Sequence, residues 1–207
     1  MKKVIIFDCD GVIIDSLKIF MPGFISACKN AGYNQISSEL TFLKLFDGNL
    51  YKGMEDSGIN KNDIPIILKN LEANLLQSQE NVKLFKGIKD MLAQLAKDNK
   101  IYIVTSNISS VVQNLLLSRG VKNFEDIIGA EKETSKVKKI KSIMSALPNH
   151  TYFYVGDTKG DMVEGRLAGA QTVAVLWGWH DISKLKEATP NFIVKTPQDL
   201  IDTIKNY

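Results

Sequence analysis

The sequence predicts an α/β protein: a doubly wound parallel sheet with a small all-helical cap domain inserted after the first strand. Three observations carry that prediction. Val4-Ile5-Ile6-Phe7 is an unbroken apolar run of the kind found in interior parallel strands, and it ends in two carboxylates, Asp8 and Asp10. The next stretch, to about Phe85, carries helical patterning only. Beyond it, strand-like and helical segments alternate to the C-terminus, as a parallel sheet with crossover helices requires.

Taken in order, the first strand leads through Gly11 and Val12-Ile13-Ile14 to Asp15-Ser16, a helix-start signal before an apolar-periodic segment from Leu17 to Ala31 that Gly32 ends. Helical pattern resumes from Ser37 to Phe46, breaks at Asp47-Gly48-Asn49, continues to Ser57 with a stop at Gly58, and returns from about Asn62 to Gln79. This stretch is too long for one crossover helix, so it reads as a separate helical cap over residues 16–85, with residues 1–15 and 86–207 forming the core. In the core, a helix from Gly87 to Asp98 precedes the strand Ile101-Tyr102-Ile103-Val104, which ends in Thr105-Ser106-Asn107. A helix from Val111 to Ser118, a short strand near Ile127-Ile128 and a basic segment from Lys132 to Lys141, helical to about Leu147, follow. The strand Tyr152-Phe153-Tyr154-Val155 ends in Gly156-Asp157, and Asp161 lies on the turn and helix behind it, with Gly165 and Gly169 bracketing the helix end. Two further units follow: Thr172 to Leu176 with Trp177-Gly178-Trp179-His180, then Phe192-Ile193-Val194 and a last helix capped by Thr196 with Pro197 at its first position.

Composition narrows the function classes. The 207 residues are 44% hydrophobic and 24% charged, as in a soluble globular chain with a full-sized core. The 26 basic and 23 acidic residues leave a formal charge of +3 without single-sign blocks, so nothing calls for nucleic acid or an anionic membrane as partner. Two cysteines, Cys9 and Cys28, are too few for a disulfide framework and read as reduced core residues. Asp8 cuts the first apolar run short of a signal-peptide core and no segment is long enough to span a membrane, so a cytoplasmic location is expected.

Three strand ends supply chemistry. Parallel sheets bind ligands beyond the carboxyl ends of their strands, and those ends carry Asp8 with Asp10, Ser106, and Asp157 with Asp161. Two extended residues of equal sense, Asp8 and Asp10, would face one side, where their repulsion calls for a cation such as Mg²⁺.

Phe7-Asp8-Cys9-Asp10-Gly11-Val12 with Asp15-Ser16, Ile103-Val104-Thr105-Ser106-Asn107, the lysine of Ser135-Lys136, Val155-Gly156-Asp157-Thr158 with Asp161, and Ala168-Gly169-Ala170 leading to Trp177-Gly178-Trp179 together resemble the haloacid dehalogenase superfamily. Within it they are most similar to the branch typified by phosphoglycolate phosphatase. The resemblance implies a Mg²⁺-dependent phosphatase acting on a small phosphorylated metabolite. It implies that Asp8 attacks phosphorus to form an aspartyl phosphate, and that Asp10 serves as general acid and then base. It also implies Mg²⁺ on the Asp8 and Asp157 carboxylates and the Asp10 backbone carbonyl. Ser106, Asn107 and a lysine would hold the phosphoryl oxygens, and Asp161 would orient that lysine or the water shell of the metal. Lys136 stands where the lysine of the family usually stands, but Val137 replaces the proline that often follows it, which leaves Lys132 as the alternative.

Asp10 argues against a dehalogenase, Phe20 stands where mutase relatives carry a cap histidine, and Lys18 is the one lysine near the phosphonatase position. The cap break at Phe46-Asp47-Gly48-Asn49, flanked by Lys44 and Lys52, is the expected reader of the leaving group, with Lys44, Asn49 and Lys52 as contacts. The competing readings are a phosphomutase or other phosphotransferase of the same superfamily, and a non-catalytic phosphate-binding regulatory protein. A dinucleotide-binding oxidoreductase is set aside because Gly11 stands alone, without a Gly-x-Gly-x-x-Gly pattern.

Overall fold

Six parallel strands lie at the centre of the computed structural model, which describes residues 2–207, the side chains of 73–79 excepted. They are β1 (Lys3–Phe7), β4 (Lys100–Val104), β5 (Asp126–Ile128), β6 (Thr151–Gly156), β7 (Gln171–Val175) and β8 (Phe192–Val194), in the order β5-β4-β1-β6-β7-β8. The chain winds outward from β1 in one direction through β4 and β5, then returns and winds the other way through β6, β7 and β8. The reversal falls between β1 and β6, so the crevice beyond their carboxyl ends is the natural ligand site.

Strand periodicity explains why β1 is apolar throughout. Ile5 and Phe7 pack with Met91, Leu92 and Leu95 of α5 (Ile88–Leu95), Leu116 of α6 (Ser109–Ser118) and Leu200 of α10 (Pro197–Asn206). Val4 and Ile6 face the other way, onto Ile140 and Ile143 of α7 (Lys136–Ala146) and Ala168 of α8 (Lys159–Ala168). Pro197 at the first turn of α10 and the Thr196 cap are as the sequence reading expects. Gly165, expected at a helix end, lies inside α8; its missing side chain lets the helix approach Tyr154 and Thr172. A short helix, α9 (Ile182–Lys186), was not anticipated by the periodicity.

Between β1 and α5 the chain forms α1 (Leu17–Asn30), α2 (Glu39–Leu43), a 3₁₀ turn (Lys44–Asp47), α3 (Leu50–Asp56), α4 (Ile64–Ser78) and a second 3₁₀ turn (Gln79–Asn81). These helices have their own buried cluster, with Phe20, Phe24, Phe42, Met54 and Ile67 in it. The expectation that no strand interrupts this stretch is corrected by a two-stranded ribbon, where β2 (Ile14–Asp15) pairs antiparallel with β3 (Lys83–Leu84). Strands of two residues carry no readable alternation, and it is the meeting of the outgoing and returning chain that creates this pair.

The helical cap rests on the core through a mixed contact. Trp179, from the loop after β7, joins the rings of Phe20, Phe42 and Phe46, the last edge-on at 4.9 Å between centroids. Around that patch, Lys184 pairs with Asp47 at 2.8 Å, the Asn49 amide donates to Glu164 at 3.1 Å, and His180 Nε2 lies 3.1 Å from the Leu43 carbonyl oxygen.

Candidate active site

The strand register brings the acidic residues together. Phe7 pairs with Ile103 on one side and Val155 on the other, so Asp8, the Thr105-Ser106 turn and Asp157 all follow their strands at one level. Asp8, Asp157 and Asp161 are buried, with one carboxylate oxygen of each within 4.8 Å of the others. Gly11 has φ +79°, and a Cβ there would overlap Asp157 Oδ2, so the turn after β1 closes onto Asp157 only with glycine.

Lys136 sits in the midst of these acids. Its ammonium lies 2.9 Å from Asp8 Oδ1 and 2.7 Å from Asp161 Oδ1, with only 8% of the residue exposed. Burial alone would lower its pKa, but Asp161 and Asp8 outweigh it and hold the ammonium well above its ordinary value. Lys132 lies elsewhere, donating to the Ile127 carbonyl at 3.2 Å and facing Asp126 at 3.5 Å beside β5.

Asp161 works as a scaffold. It accepts from Lys136 and the Tyr154 hydroxyl at Oδ1, and from the Thr158 N–H and hydroxyl at Oδ2. Four donors occupy the lone-pair sites of the carboxylate, so little of it is left for an ion. Burial pushes Asp161 up, yet the Lys136 charge and these bonds together hold it below the usual carboxylate range. Asp157 is the opposite case. Its Oδ2 accepts from the Trp179 N–H at 2.7 Å, but its buried Oδ1 has no hydrogen-bond partner. Burial, then the charges of Asp161 and Asp8, push its pKa well up. Burial also raises Asp8 to about 7 against the pull of Lys136. Two clustered carboxylates whose surroundings favour protonation, one with an orphaned oxygen, fit a hard divalent cation bound by oxygen ligands, whose charge would offset the cost of ionising both.

The Asp10 side chain is turned elsewhere. Ser16 donates to Asp10 Oδ1 at 2.6 Å; α1 starts just after it, as expected, with its carbonyl accepting from the Ile19 and Phe20 N–H groups, but its hydroxyl makes no cap bond. Burial raises the Asp10 pKa, and the Ser16 bond opposes the rise. Ser106 and Asn107 line the same pocket. The Asn107 N–H, expected to serve phosphate, donates to Thr105 Oγ1 at 3.0 Å in this structure.

The pocket over Asp8 is a cavity of about 30 Å³, roofed by Phe20, Phe46 and Leu50 of the cap. A larger cleft of about 270 Å³ shares Phe20, Leu50, Ser106 and Asn107 with it and extends past Tyr51, Leu68 and Lys69. The expected cap contacts Lys44, Asn49 and Lys52 do not reach either. All three line a separate hollow on the cap; Lys52 pairs with Asp56 at 2.8 Å, and Asn49 caps α3 through Tyr51 and Lys52 N–H. The break at residues 47–49 is turned toward α8, so its flanking lysines point away from the site.

Two residues to which the sequence assigns no part in the chemistry belong here. Ser16 is one. The other is Lys139, one of several lysines in the basic helical segment but only 1% exposed, its ammonium donating to the Thr105 carbonyl at 2.6 Å. Lys136, Lys139, Ile140 and Ile143 are the buried stripe of α7, and that spacing is the signal that identifies Lys139 as inward-facing.

The chain is 26% identical over 208 residues to a phosphoglycolate phosphatase from Synechococcus elongatus, covering 98% of this chain and 97% of that one. It is 27% identical over 210 residues to the pyrophosphatase PpaX of Oceanobacillus iheyensis, covering 98% and 96%. Its fold matches that of a haloacid dehalogenase-like family hydrolase from Streptococcus pneumoniae, with TM-score 0.80 and 23% identity over 98% of both chains. A hydrolase from Pseudomonas syringae superposes with TM-score 0.80 and 19% identity over 99% of both. Residues 5–175 match the profile of the haloacid dehalogenase-like hydrolases, which runs from within β1 to the end of β7 and takes in every carboxylate of the site, and the chain belongs to that family.

Proposed function

We propose that this enzyme is a Mg²⁺-dependent phosphatase that hydrolyses a small phosphate monoester through an aspartyl phosphate on Asp8. The observation that carries the reading is the Asp8-Lys136-Asp161 chain beside the orphaned Asp157 Oδ1, with Asp10 held apart on Ser16. A nucleophile, a cation site and a separate acid are the parts phosphoryl transfer needs. Asp8 and Asp157, with the Asp10 backbone carbonyl, would hold Mg²⁺, which would neutralise phosphoryl charge and keep Asp8 ionised. Asp8 attacks phosphorus in line. Asp10, oriented by Ser16, delivers its proton to the leaving oxygen and then takes one from the attacking water. Lys136 and Ser106 hold phosphoryl oxygens, with Lys136 aimed by Asp161.

Hydrolysis is favoured over mutase chemistry because Phe20, which cannot carry a proton, occupies the pocket wall. The alcohol portion of the substrate would lie in the cleft toward Tyr51, Leu68 and Lys69. Residues 16–85 are read as a cap on the β2–β3 stem, with the core on either side. A small phosphorylated metabolite as substrate and a cytoplasmic location complete the proposal. Among the described residues no helix is long and apolar enough to cross a membrane, and both cysteines are free and buried.

The test is an assay of purified protein with p-nitrophenyl phosphate and a panel of esters including phosphoglycolate, alongside pyrophosphate, with and without Mg²⁺ and beside Asp8→Asn. Mg²⁺-dependent turnover that disappears in Asp8→Asn is expected. Turnover retained in Asp8→Asn, or none by folded Mg²⁺-loaded protein, would overturn the reading.

A further inference from the structure

We propose that Lys139 is a positioning residue of the phosphate site, fixing Ser106 through the Thr105 carbonyl and placing beside the pocket a positive charge that no carboxylate neutralises. The inference rests on the phosphatase reading above and goes beyond it.

Every polar atom of Thr105 is anchored. Its N–H donates to the Ile128 carbonyl at 3.1 Å, its hydroxyl oxygen accepts from Asn107 N–H at 3.0 Å, and its carbonyl accepts from Lys139 at 2.6 Å. The Asn107 carbonyl is held in turn by Ala130 N–H at 2.8 Å. Ser106 therefore stands between two fixed residues, with its side chain on the wall shared by the pocket and the cleft. Lys139 supplies the clamp on the strand side.

The chemistry of the clamp points to more than packing. A neutral carbonyl is poor compensation for a buried ammonium, and an amide or hydroxyl donor would satisfy that carbonyl at lower desolvation cost. Lys136 gives no spare charge, because two carboxylates share it. Among the described residues Lys139 has no carboxylate within ion-pair distance, although the fields of Asp8, Glu131 and Glu164 favour its charged form. Burial, then Lys136, lower its pKa to about 8, which still leaves it mostly protonated at neutral pH. A phosphate group entering among Asp8, Asp10 and Asp157 meets strong negative charge. A second cation three residues along the same helix face offsets part of it.

The experiment compares wild type with Lys139→Met and Lys139→Gln, all Mg²⁺-loaded. Inorganic phosphate binding is measured by calorimetry, kcat and KM on the best ester of the panel, and Tm by thermal melting. Lys139→Met is expected to weaken phosphate binding about tenfold, the scale of one charge-assisted hydrogen bond, and to lower kcat/KM at least as much, without lowering Tm. Lys139→Gln, which can still reach the carbonyl without charge, is expected to recover kcat more than phosphate affinity. Phosphate affinity and kcat/KM within twofold of wild type in Lys139→Met would overturn the proposal, whatever its Tm. So would failure of both variants to fold, since Lys139 would then serve the fold alone. If wild type neither binds phosphate nor turns over any ester, the phosphatase reading fails and takes this one with it; a wild type that does both while Lys139→Met matches it sinks only the role of Lys139.

Discussion

Replacing Gly11 by alanine tests how tightly the turn after β1 is built against Asp157. The substitution has two separable costs. Gly11 sits at φ +79°, where an L side chain costs about 1–2 kcal/mol. The added Cβ would overlap Asp157 Oδ2 and stand 2.6 Å from its Cγ and 2.8 Å from Trp179 Cδ1. Carbon atoms pack best at about 3.5 Å, so Asp157 must retreat by roughly 1 Å, and such overpacking costs about 1–3 kcal/mol. Gly32 provides the control. It has φ +90° and nothing within 4 Å of its would-be Cβ, so Gly32→Ala incurs the backbone cost alone. Urea unfolding should place Gly11→Ala about 2–5 kcal/mol below wild type and about 1–3 kcal/mol below Gly32→Ala. Displacing Asp157 should also weaken the cation site. At a Mg²⁺ concentration a hundredfold above Kd the ion stabilises wild type by about 2.7 kcal/mol, and a tenfold loss of affinity leaves about 1.4 kcal/mol. Gly11→Ala and Gly32→Ala equal in stability, with the same Mg²⁺ increment, would refute the reasoning.

Three further outcomes are expected. Ser16→Ala should lower kcat about tenfold with little change in KM, because the hydroxyl positions Asp10 and not substrate, whereas a helix-cap role would shift melting and leave kcat intact. Asn49→Ala should lose about 1–2 kcal/mol in thermal or urea unfolding, removing both the cap of α3 and the donor to buried Glu164; a loss under about 0.3 kcal/mol would contradict both roles. The pH dependence of stability should differ between wild type and Lys139→Met. Below about pH 8 the folded and unfolded chains both carry the Lys139 proton, and folding bears the full cost of burying the charge. Between about 8 and the ordinary value of 10.5 the unfolded chain binds more protons. Wild-type stability should therefore rise with pH relative to the variant, by ~3 kcal/mol at most across that window, in urea titrations. A flat difference would contradict the burial of the ammonium.

The parts of the site legible in the sequence are those that a strand positions. β1 is buried on both faces, so Val4 to Phe7 show no alternation, and the first polar residues after it, Asp8 and Asp10, mark where the sheet opens to ligand. The same logic places Ser106 after β4 and Asp157 after β6. Residues whose partners come from elsewhere were harder to read. Ser16 precedes a helix as a cap would, but its hydroxyl finds Asp10 because β2 turns the chain back toward the site. Lys139 looks like one of several solvated lysines until its spacing with Ile140 and Ile143 is counted, and its partner lies 34 residues away on another strand end. Lys44 and Lys52 flank the cap break in sequence, yet the orientation of the break is set by Asn49 bonding to Glu164 and by Asp47 pairing with Lys184, neither of which local pattern encodes. Lys69 faces the cleft from α4 without any motif to mark it.

The central claim is that Asp8 becomes covalently phosphorylated during turnover, and the most direct measurement is to trap that state. Mg²⁺-loaded protein mixed with its best substrate, quenched in acid within one turnover and mapped by mass spectrometry, should carry one phosphoryl group on the peptide containing Asp8. With p-nitrophenyl phosphate, whose leaving group needs no proton, the adduct should accumulate in Asp10→Asn, where the base for the hydrolytic water is gone. Rapid turnover with no phosphorylated peptide in either protein, or a phosphoryl group on any other residue, would contradict the account.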